Sequence, residues 1–129
     1  FTGSTDTGKK IAAKCGEMNK KCSLEMGGKN ALAVMEDADQ ELALEGVLWG
    51  AFGTTGQRCT ATSRLIVHKD IYEEFTNKLI TKASKLRLGP GLEEDTQVGP
   101  VINERQLDKI EKYIAIGREQ GAKLALGGG

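Results

Sequence analysis

The chain has 129 residues, with 18 basic and 18 acidic side chains and 39% apolar residues, a balance typical of a folded domain with a modest core. Because the formal net charge is zero and aromatic residues make up only 5%, neither a nucleic acid nor an anionic membrane surface is expected as a partner. No apolar run approaches the ~20 residues that span a bilayer, and the three cysteines and one histidine lack metal-ligand spacing. We therefore expect no membrane span, metal site or disulfide framework, and a reducing, cytoplasmic location.

The first part of the chain alternates short apolar segments with a helical one. A loop of small residues at 1–8 leads into a helix predicted at 9–18. Two short strands are predicted at 22–26 and 31–35, separated by a turn at Gly27–Gly28.

A broad apolar helix and a glycine-containing loop follow. Asp37 and Asp39 are expected to cap this helix rather than to bind a metal. Residues 53–56 end the helix and open a loop that contains Cys59. The side chains of this helix that are predicted to face the core are Leu42, Leu44, Val47, Leu48, Trp49, Ala51 and Phe52.

The second half is predicted to contain a buried strand at 64–68 and two helices. Asp70 is expected to cap the first helix, and a turn-rich connection at 88–100 leads to the second, which starts at Asn103. The inward positions predicted from three- and four-residue spacing are Ile71, Phe75, Leu79, Ile80, Ala83 and Leu86 in one helix and Leu107, Ile110, Ile114 and Ile116 in the other.

The order of these elements predicts the fold class. Gly121 ends the last helix, and a final strand is predicted at 123–126. Strands that alternate with helices of about 12 to 16 residues indicate an α/β fold with a mostly parallel sheet and flanking helices.

A possible general base lies at the end of the short strand predicted at 22–26. Glu25 is followed by Gly27 and Gly28, which leave room beside it. Such surroundings can withdraw a carboxylate from water and make it a stronger base. An ordinary surface glutamate paired with Lys29 fits the same pattern.

A possible nucleophile lies in the glycine-containing loop. Cys59 between a helix and a strand can be accessible, its backbone N–H can face an oxyanion, and Arg58 can favour the thiolate. A buried structural thiol is the alternative, and it is the role expected for Cys15 and Cys22. A Cys–His protease pair is not indicated, since the single His68 lies at a strand end.

The loop at 1–8 is a candidate phosphate site. Its glycines allow close approach to the backbone, and the start of a helix favours negative charge. Its spacing is not GxGxxG, however, and no strand is predicted before it, so a loop ahead of a capped helix is the alternative.

Taken in order, the motifs FTGSTDTGK, LEMGGKN and GQRCTATSR resemble the aldehyde dehydrogenase superfamily. The resemblance continues through GPGLEEDTQVGPVINERQ and covers the whole chain. Within the superfamily, EMGGKN, GQRCTATSRLIV and YIAIGREQGAKLALGG are most similar to bacterial semialdehyde dehydrogenases. The 2,5-dioxopentanoate (α-ketoglutarate semialdehyde) branch is the first choice and the succinate-semialdehyde branch the second.

The resemblance implies an NAD- or NADP-dependent oxidation of a small aldehyde. Cys59 would be the nucleophile that becomes a thioester, and Glu25 the base that activates water to release the carboxylic acid. A carboxylate at position 25 favours hydrolysis over acyl transfer to coenzyme A. Residues 1–26 would end a dinucleotide-binding domain, and residues 27–129 would belong to the catalytic domain. The implied cofactor-binding residues are Gly3, Ser4 and Gly8, with Ser4 near the pyrophosphate, and Met26 and Gly27 on the nicotinamide side.

The chain begins at Phe1 and ends in three glycines, so we expect both ends to be cuts through a longer polypeptide. The resemblance implies that the piece is roughly the middle quarter of that polypeptide. The resemblance implies a homodimeric or homotetrameric parent, and the piece alone is expected to be inactive. Two alternatives stay open. One is a non-catalytic α/β binding or assembly module derived from the family. The other is a cysteine hydrolase that uses Cys59 and Glu25 without a cofactor.

Overall fold

A computed structural model describes residues 1–128, and Gly129, the last of the terminal glycines, lies outside the described residues. Its strands form two separate parallel pairs, and helices pack beside them. The predicted α/β class with parallel pairing is confirmed. The elements are β1 (Thr2–Gly3), α1 (Thr5–Glu17), β2 (Glu25–Met26), β3 (Asn30–Val34), α2 (Gln40–Phe52), a short turn of helix at Gly53–Gly56, β4 (Thr62–Val67), α3 (Tyr72–Ala83) and α4 (Glu104–Glu119).

The first parallel pair brings together two short strands that lie on either side of α1 in the sequence. β1 pairs with β2, and Thr2 lies opposite Glu25. β1 lies within the predicted loop at 1–8 and directly precedes α1, and the sequence did not predict this short strand. The helix also begins four residues earlier than the predicted residue 9, because the Ser4 hydroxyl accepts a hydrogen bond from the Thr7 N–H at 3.2 Å and caps it.

The second parallel pair carries the core. β3 and β4 pair along their lengths, and α2 and α3 lie against them. The core consists of Val34, Leu44, Val47 and Phe75, of which Leu44 and Phe75 are fully buried.

The predicted core face of α2 is only partly confirmed. Leu44 and Val47 are buried, whereas Leu42 and Trp49 are 72% and 66% exposed and Phe52 also lies at the surface. Apolar residues are spread around α2 despite Glu41 and Glu45, so its sequence contains no strong periodic signal that selects the buried face.

Several predictions for the second half need correction. Asp70 does not cap α3, since Ile71 occupies the N-cap position without a side-chain hydrogen bond. In β4, Ile66 is 58% exposed because alternate strand residues point to opposite faces. In α4, the predicted inward residues Leu107 and Ile110 are exposed.

The end of the chain also differs from the prediction. Gly121 follows α4 with a φ of +84°, as expected for a residue that ends a helix. Residues 123–126 form no strand, because no described strand offers them a partner. No helix within residues 1–128 is long and apolar enough to cross a bilayer.

Candidate active site

The loop that carries Cys59 begins with a strained turn. Thr54, Thr55 and Gly56 have φ values of 53°, 57° and 65°, three consecutive residues in the left-handed region. This conformation costs a residue with a Cβ about 1–2 kcal/mol, and it is rarest for β-branched residues such as threonine. The turn takes the chain from the end of α2 towards the start of β4, and it persists only if its surroundings hold it.

Hydrogen bonds hold the turn against a distant segment of the chain. The Thr55 hydroxyl donates to the Gly99 carbonyl at 2.8 Å. The Gln57 side chain accepts from the Ile102 N–H at 2.9 Å and donates to the Pro100 carbonyl at 3.4 Å. The turn-rich connection predicted from the sequence therefore supports the loop before Cys59.

Close packing restricts the same turn. A Cβ at Gly53 would lie 2.9 Å from the Trp49 ring, and a Cβ at Gly56 would lie 2.8 Å from the Ala51 carbonyl oxygen. Both glycines are therefore needed for the close approach of the turn to α2.

The Arg58 side chain anchors the backbone just before Cys59 to the end of α2. Its Nη2 donates to the Trp49 carbonyl at 2.8 Å, and its guanidinium lies 4.9 Å from the centre of the Trp49 ring, a cation–π distance. Arg58 thus binds the end of α2. Its hydrogen bond goes to Trp49 rather than to the thiol, so the expected help from Arg58 in forming the thiolate gains no support.

Cys59 itself is exposed, as its predicted accessibility requires. The Ala61 N–H donates to the Arg58 carbonyl at 3.1 Å and closes a turn around Cys59 and Thr60. Asn30 Nδ2 donates to the Cys59 carbonyl at 2.6 Å and to the Ala61 carbonyl at 3.1 Å. The thiol is therefore open to a small molecule while its backbone is held in place.

Glu25 has the exposed setting of the alternative interpretation, that of a surface glutamate, rather than the shielded setting of a general base. Its backbone is fixed in β2, where its N–H donates to the Phe1 carbonyl at 2.9 Å, but its side chain is exposed. Residues 1–128 do not supply the shielding from water that the sequence suggested. A Cβ at Gly27 would meet no atom within 4 Å, so the predicted open space beside Glu25 is present.

The small residues around α1 bring the helix close to β2. Gly8 is buried, and a Cβ there would lie 2.5 Å from Met26 Sδ. A Cβ at Gly3 would lie 2.6 Å from the Phe1 ring. In this structure Gly8 allows helix and strand to pack closely, whereas Ser4 stands at the open start of the helix.

A cleft of about 1220 Å³ lies between the start of α1 and α4. Ser4, Gly27 and Lys10 line one part of it, and Arg105, Lys109 and Lys112 line another. The sequence reasoning missed these basic residues of α4. Their spacing of four and three positions puts them on one helix face, which the sequence alone could have revealed.

A second cleft, of about 790 Å³, shares part of its lining with the first. Gln106, Lys109 and Tyr113 line both, and Thr55 and Gln57 from the Cys59 loop line the second. Residues of α4 therefore line two clefts, one at the start of α1 and one beside the loop before the thiol. No group of three or more His, Cys, Asp or Glu residues within the described part of the chain could hold a metal ion.

Comparisons with known proteins agree with this arrangement. The model of the aldehyde dehydrogenase family matches residues 1–129. The chain is 50% identical over 130 residues to 2,5-dioxopentanoate dehydrogenase from Saccharolobus solfataricus, covering 99% of this chain and 27% of that protein. It is 47% identical over 128 residues to alpha-ketoglutaric semialdehyde dehydrogenase from Bacillus subtilis, covering 99% and 26%.

A solved structure is similar over the same region. The crystal structure of betaine aldehyde dehydrogenase from Staphylococcus aureus in complex with NAD+ superimposes with a TM-score of 0.96 at 40% identity, covering 99% of this chain and 25% of that one. The chain thus spans about a quarter of the length of the relatives it matches. The family resemblance predicted from the sequence motifs is confirmed.

Proposed function

Because the chain belongs to the aldehyde dehydrogenase family, we propose that it is part of an enzyme that oxidises a small aldehyde to the carboxylic acid with NAD or NADP. In this proposal Cys59 is the nucleophile and Glu25 the general base. The observation that carries it is the exposed Cys59 on a restrained loop, two residues after Gln57, which lines one of the two clefts along α4.

The setting of Cys59 suits a nucleophile. Covalent catalysis needs a thiol that the substrate can reach and that points in a fixed direction. The thiol is exposed, while hydrogen bonds from Thr55, Gln57 and Asn30 restrain the chain around it. A buried structural cysteine would have neither the exposure nor a reason for strained backbone beside it.

The reaction then follows from two steps at Cys59. The thiol gives up its proton to water, and the thiolate sulfur forms a bond to the aldehyde carbon while the carbonyl π bond breaks and leaves the oxygen as an alkoxide. The alkoxide then re-forms the carbonyl bond as the carbon loses hydride, which leaves a thioester on Cys59. NAD or NADP, when bound, supplies the hydride acceptor. Glu25 then takes a proton from water, the water oxygen attacks the thioester carbon, and the acid leaves as Cys59 recovers its thiol.

The first cleft suits a dinucleotide with its pyrophosphate at the start of α1. Ser4 caps a helix of 13 residues, whose first N–H groups and dipole favour an anion. Lys10, Arg105, Lys109 and Lys112 line the same cleft and outnumber its two aspartates, Asp6 and Asp108. Gly3, Ser4 and Gly27 also line it, which supports cofactor binding by these residues, whereas for Gly8 and Met26 the proposal rests on the family resemblance.

The proposed domain boundary lies between residues 26 and 27. It is supported by the separation of the sheets, since among residues 1–128 β1 and β2 pair only with each other and β3 and β4 form the second pair. Residues 1–26 would then end the cofactor domain and residues 27–129 would belong to the catalytic domain.

For the substrate we propose a semialdehyde, with 2,5-dioxopentanoate first and succinate semialdehyde second. The support is the identity of 50% and 47% to two relatives named for 2,5-dioxopentanoate and alpha-ketoglutaric semialdehyde. A cytoplasmic location and a dimeric or tetrameric full-length protein remain predictions.

The test is aldehyde-dependent formation of NADH or NADPH by the full-length protein, followed at 340 nm. Cys59→Ser should abolish it. Glu25→Gln should leave a burst no larger than the number of active sites and slow the steady state by about 10²–10⁴-fold, since the thioester forms but is hydrolysed slowly. Cys22→Ser, which changes another exposed thiol, is the matched control and should keep full activity.

The outcomes distinguish the open alternatives. Activity that survives Cys59→Ser would exclude Cys59 as the nucleophile. Ester hydrolysis that depends on Cys59 but is indifferent to NAD and NADP would favour the cysteine hydrolase. Absence of any reaction in the unmodified full-length protein with all three of 2,5-dioxopentanoate, succinate semialdehyde and betaine aldehyde would favour the non-catalytic module.

A further inference from the structure

Asn30 connects the start of β3 to the backbone on both sides of Thr60. Its Nδ2 donates to the Cys59 carbonyl at 2.6 Å and to the Ala61 carbonyl at 3.1 Å. A side-chain amide nitrogen has two hydrogens, so both are used in these contacts. One side chain thus binds two backbone carbonyls, those of Cys59 and Ala61, on either side of Thr60.

An irregularity in the strand pairing allows this reach. Asn30 lies opposite Thr62, but Ala31 lies opposite Arg64, so β4 has one more residue than β3 at this point. Such a bulge bends the strand and redirects side chains near it. The extra residue, Ser63, also donates its hydroxyl to the Asn30 carbonyl at 3.4 Å and so anchors Asn30 itself.

Asn30 supplies a restraint that the other loop contacts do not. Thr55, Gln57 and Arg58 hold the chain up to Cys59. From Cys59 onwards, Asn30 is the side chain that donates hydrogen bonds to the backbone carbonyls of residues 59–61 in the described part of the chain. Hydrogen bonds therefore restrain the backbone on both sides of Cys59, and this restraint limits the directions that its side chain can take.

We propose that Asn30 is a positioning residue for the Cys59 nucleophile. The inference rests on the proposed function, since it concerns the same thiol. Asn30 touches neither substrate nor cofactor in this role. It holds the sulfur in the direction from which it attacks the aldehyde carbon, and a displacement of about 1 Å there can slow a reaction about 10²-fold.

The experiment compares three variants of the full-length protein. Asn30→Ala removes both donors, and Asn30→Asp keeps the shape of the side chain but cannot donate when ionised. Asn77→Asp makes the same chemical change at an exposed position of α3 and is the matched control. The readouts are the rate of the NADH or NADPH burst, kcat, the cofactor KM, and iodoacetamide labelling of each cysteine by mass spectrometry.

We expect the burst rate to fall about 10- to 100-fold in both Asn30 variants, with the cofactor KM within about twofold of the unmodified protein. Cys59 should still be alkylated, because the thiol stays exposed and is only misdirected. Labelling of the half-buried Cys15 should not increase, which verifies that the fold is intact. Asn77→Asp should match the unmodified protein throughout.

Three results would overturn the inference. The first is a burst rate within about twofold of the unmodified protein in a folded Asn30→Ala. The second is a loss confined to Asn30→Asp, which would come from the new charge. The third is a raised cofactor KM with an unchanged kcat. If Asn30→Ala does not fold, Asn30→Ser, which keeps one donor, is judged by the same criteria. Activity that survives Cys59→Ser would instead overturn the proposed function.

Discussion

Replacement of Gly56 by alanine tests whether the turn before Cys59 is as strained as its backbone indicates. Gly56 has a φ of +65°, and a Cβ there would lie 2.8 Å from the Ala51 carbonyl oxygen. That oxygen belongs to the backbone of α2, so it cannot rotate away as a flexible side chain could. The substitution therefore meets both an unfavourable conformation and a steric conflict.

The expected size follows from these two effects and one that opposes them. A residue with a Cβ in the left-handed region costs about 1–2 kcal/mol. The lower entropy of the unfolded chain returns about 0.4–1 kcal/mol. The close contact with Ala51 adds to the cost. We expect Gly56→Ala to lower the free energy of unfolding by at least about 1 kcal/mol.

Gly46→Ala is the matched control. Gly46 lies exposed within α2, and a Cβ there would meet no atom within 4 Å. Because alanine favours a helix, this change should raise the free energy of unfolding by about 0.5–1 kcal/mol. Urea denaturation followed by circular dichroism measures both variants. A Gly56→Ala variant that is as stable as the unmodified protein, or whose urea midpoint shifts in the same direction as that of Gly46→Ala, would refute the predicted strain at Gly56.

Two further predictions concern a helix cap and a thiol. Asp39→Ala removes the side-chain oxygen that accepts from the Leu42 N–H at 3.1 Å, and it should lower the free energy of unfolding by about 0.5–2 kcal/mol in urea denaturation. Asp70→Ala, at a position that caps no helix, should change the free energy of unfolding by less than about 0.5 kcal/mol. Equal losses in the two variants would contradict this prediction. Burial raises the pKa of the Cys15 thiol and the neighbouring Cys22 thiol raises it further, so in Cys22→Ser the alkylation of Cys15 should begin at lower pH, because the thiolate is the reactive form. An unchanged pH profile would show that Cys22 does not influence Cys15.

Local sequence patterns predicted most elements because each leaves a signal within a few residues. Asp39 and Asn103 cap α2 and α4 as expected, since a cap needs only an acceptor and a nearby N–H. The strand predicted at 123–126 failed because a strand needs a partner that the local sequence cannot supply. The prediction that Trp49 is buried failed for a related reason, since the apolar residues of α2 are spread around the helix and do not reveal which side will be covered.

The site could be predicted only as far as its motifs extend. The Cys59 loop and its exposure followed from glycines between a helix and a strand. The two hydrogen bonds of Asn30 depend on the irregular pairing of β3 with β4, which no periodicity in the sequence signals. The exposed carboxylate of Glu25 fits the surface glutamate that the sequence left open as an alternative, and the local sequence could not decide between the two because burial depends on what packs over a strand end.

The two proposed chemical groups are held by different parts of the fold, and this has a consequence for the reaction. Cys59 follows α2 and is held by Asn30 of β3 and by the connection after residue 88. Glu25 lies in β2, which pairs only with β1 in the described chain. A change that displaces the Cys59 loop should therefore slow thioester formation, whereas a change confined to the Glu25 side chain should slow hydrolysis of the thioester. A slow burst in Asn30→Ala beside an intact burst with slow turnover in Glu25→Gln is the pattern that this division requires.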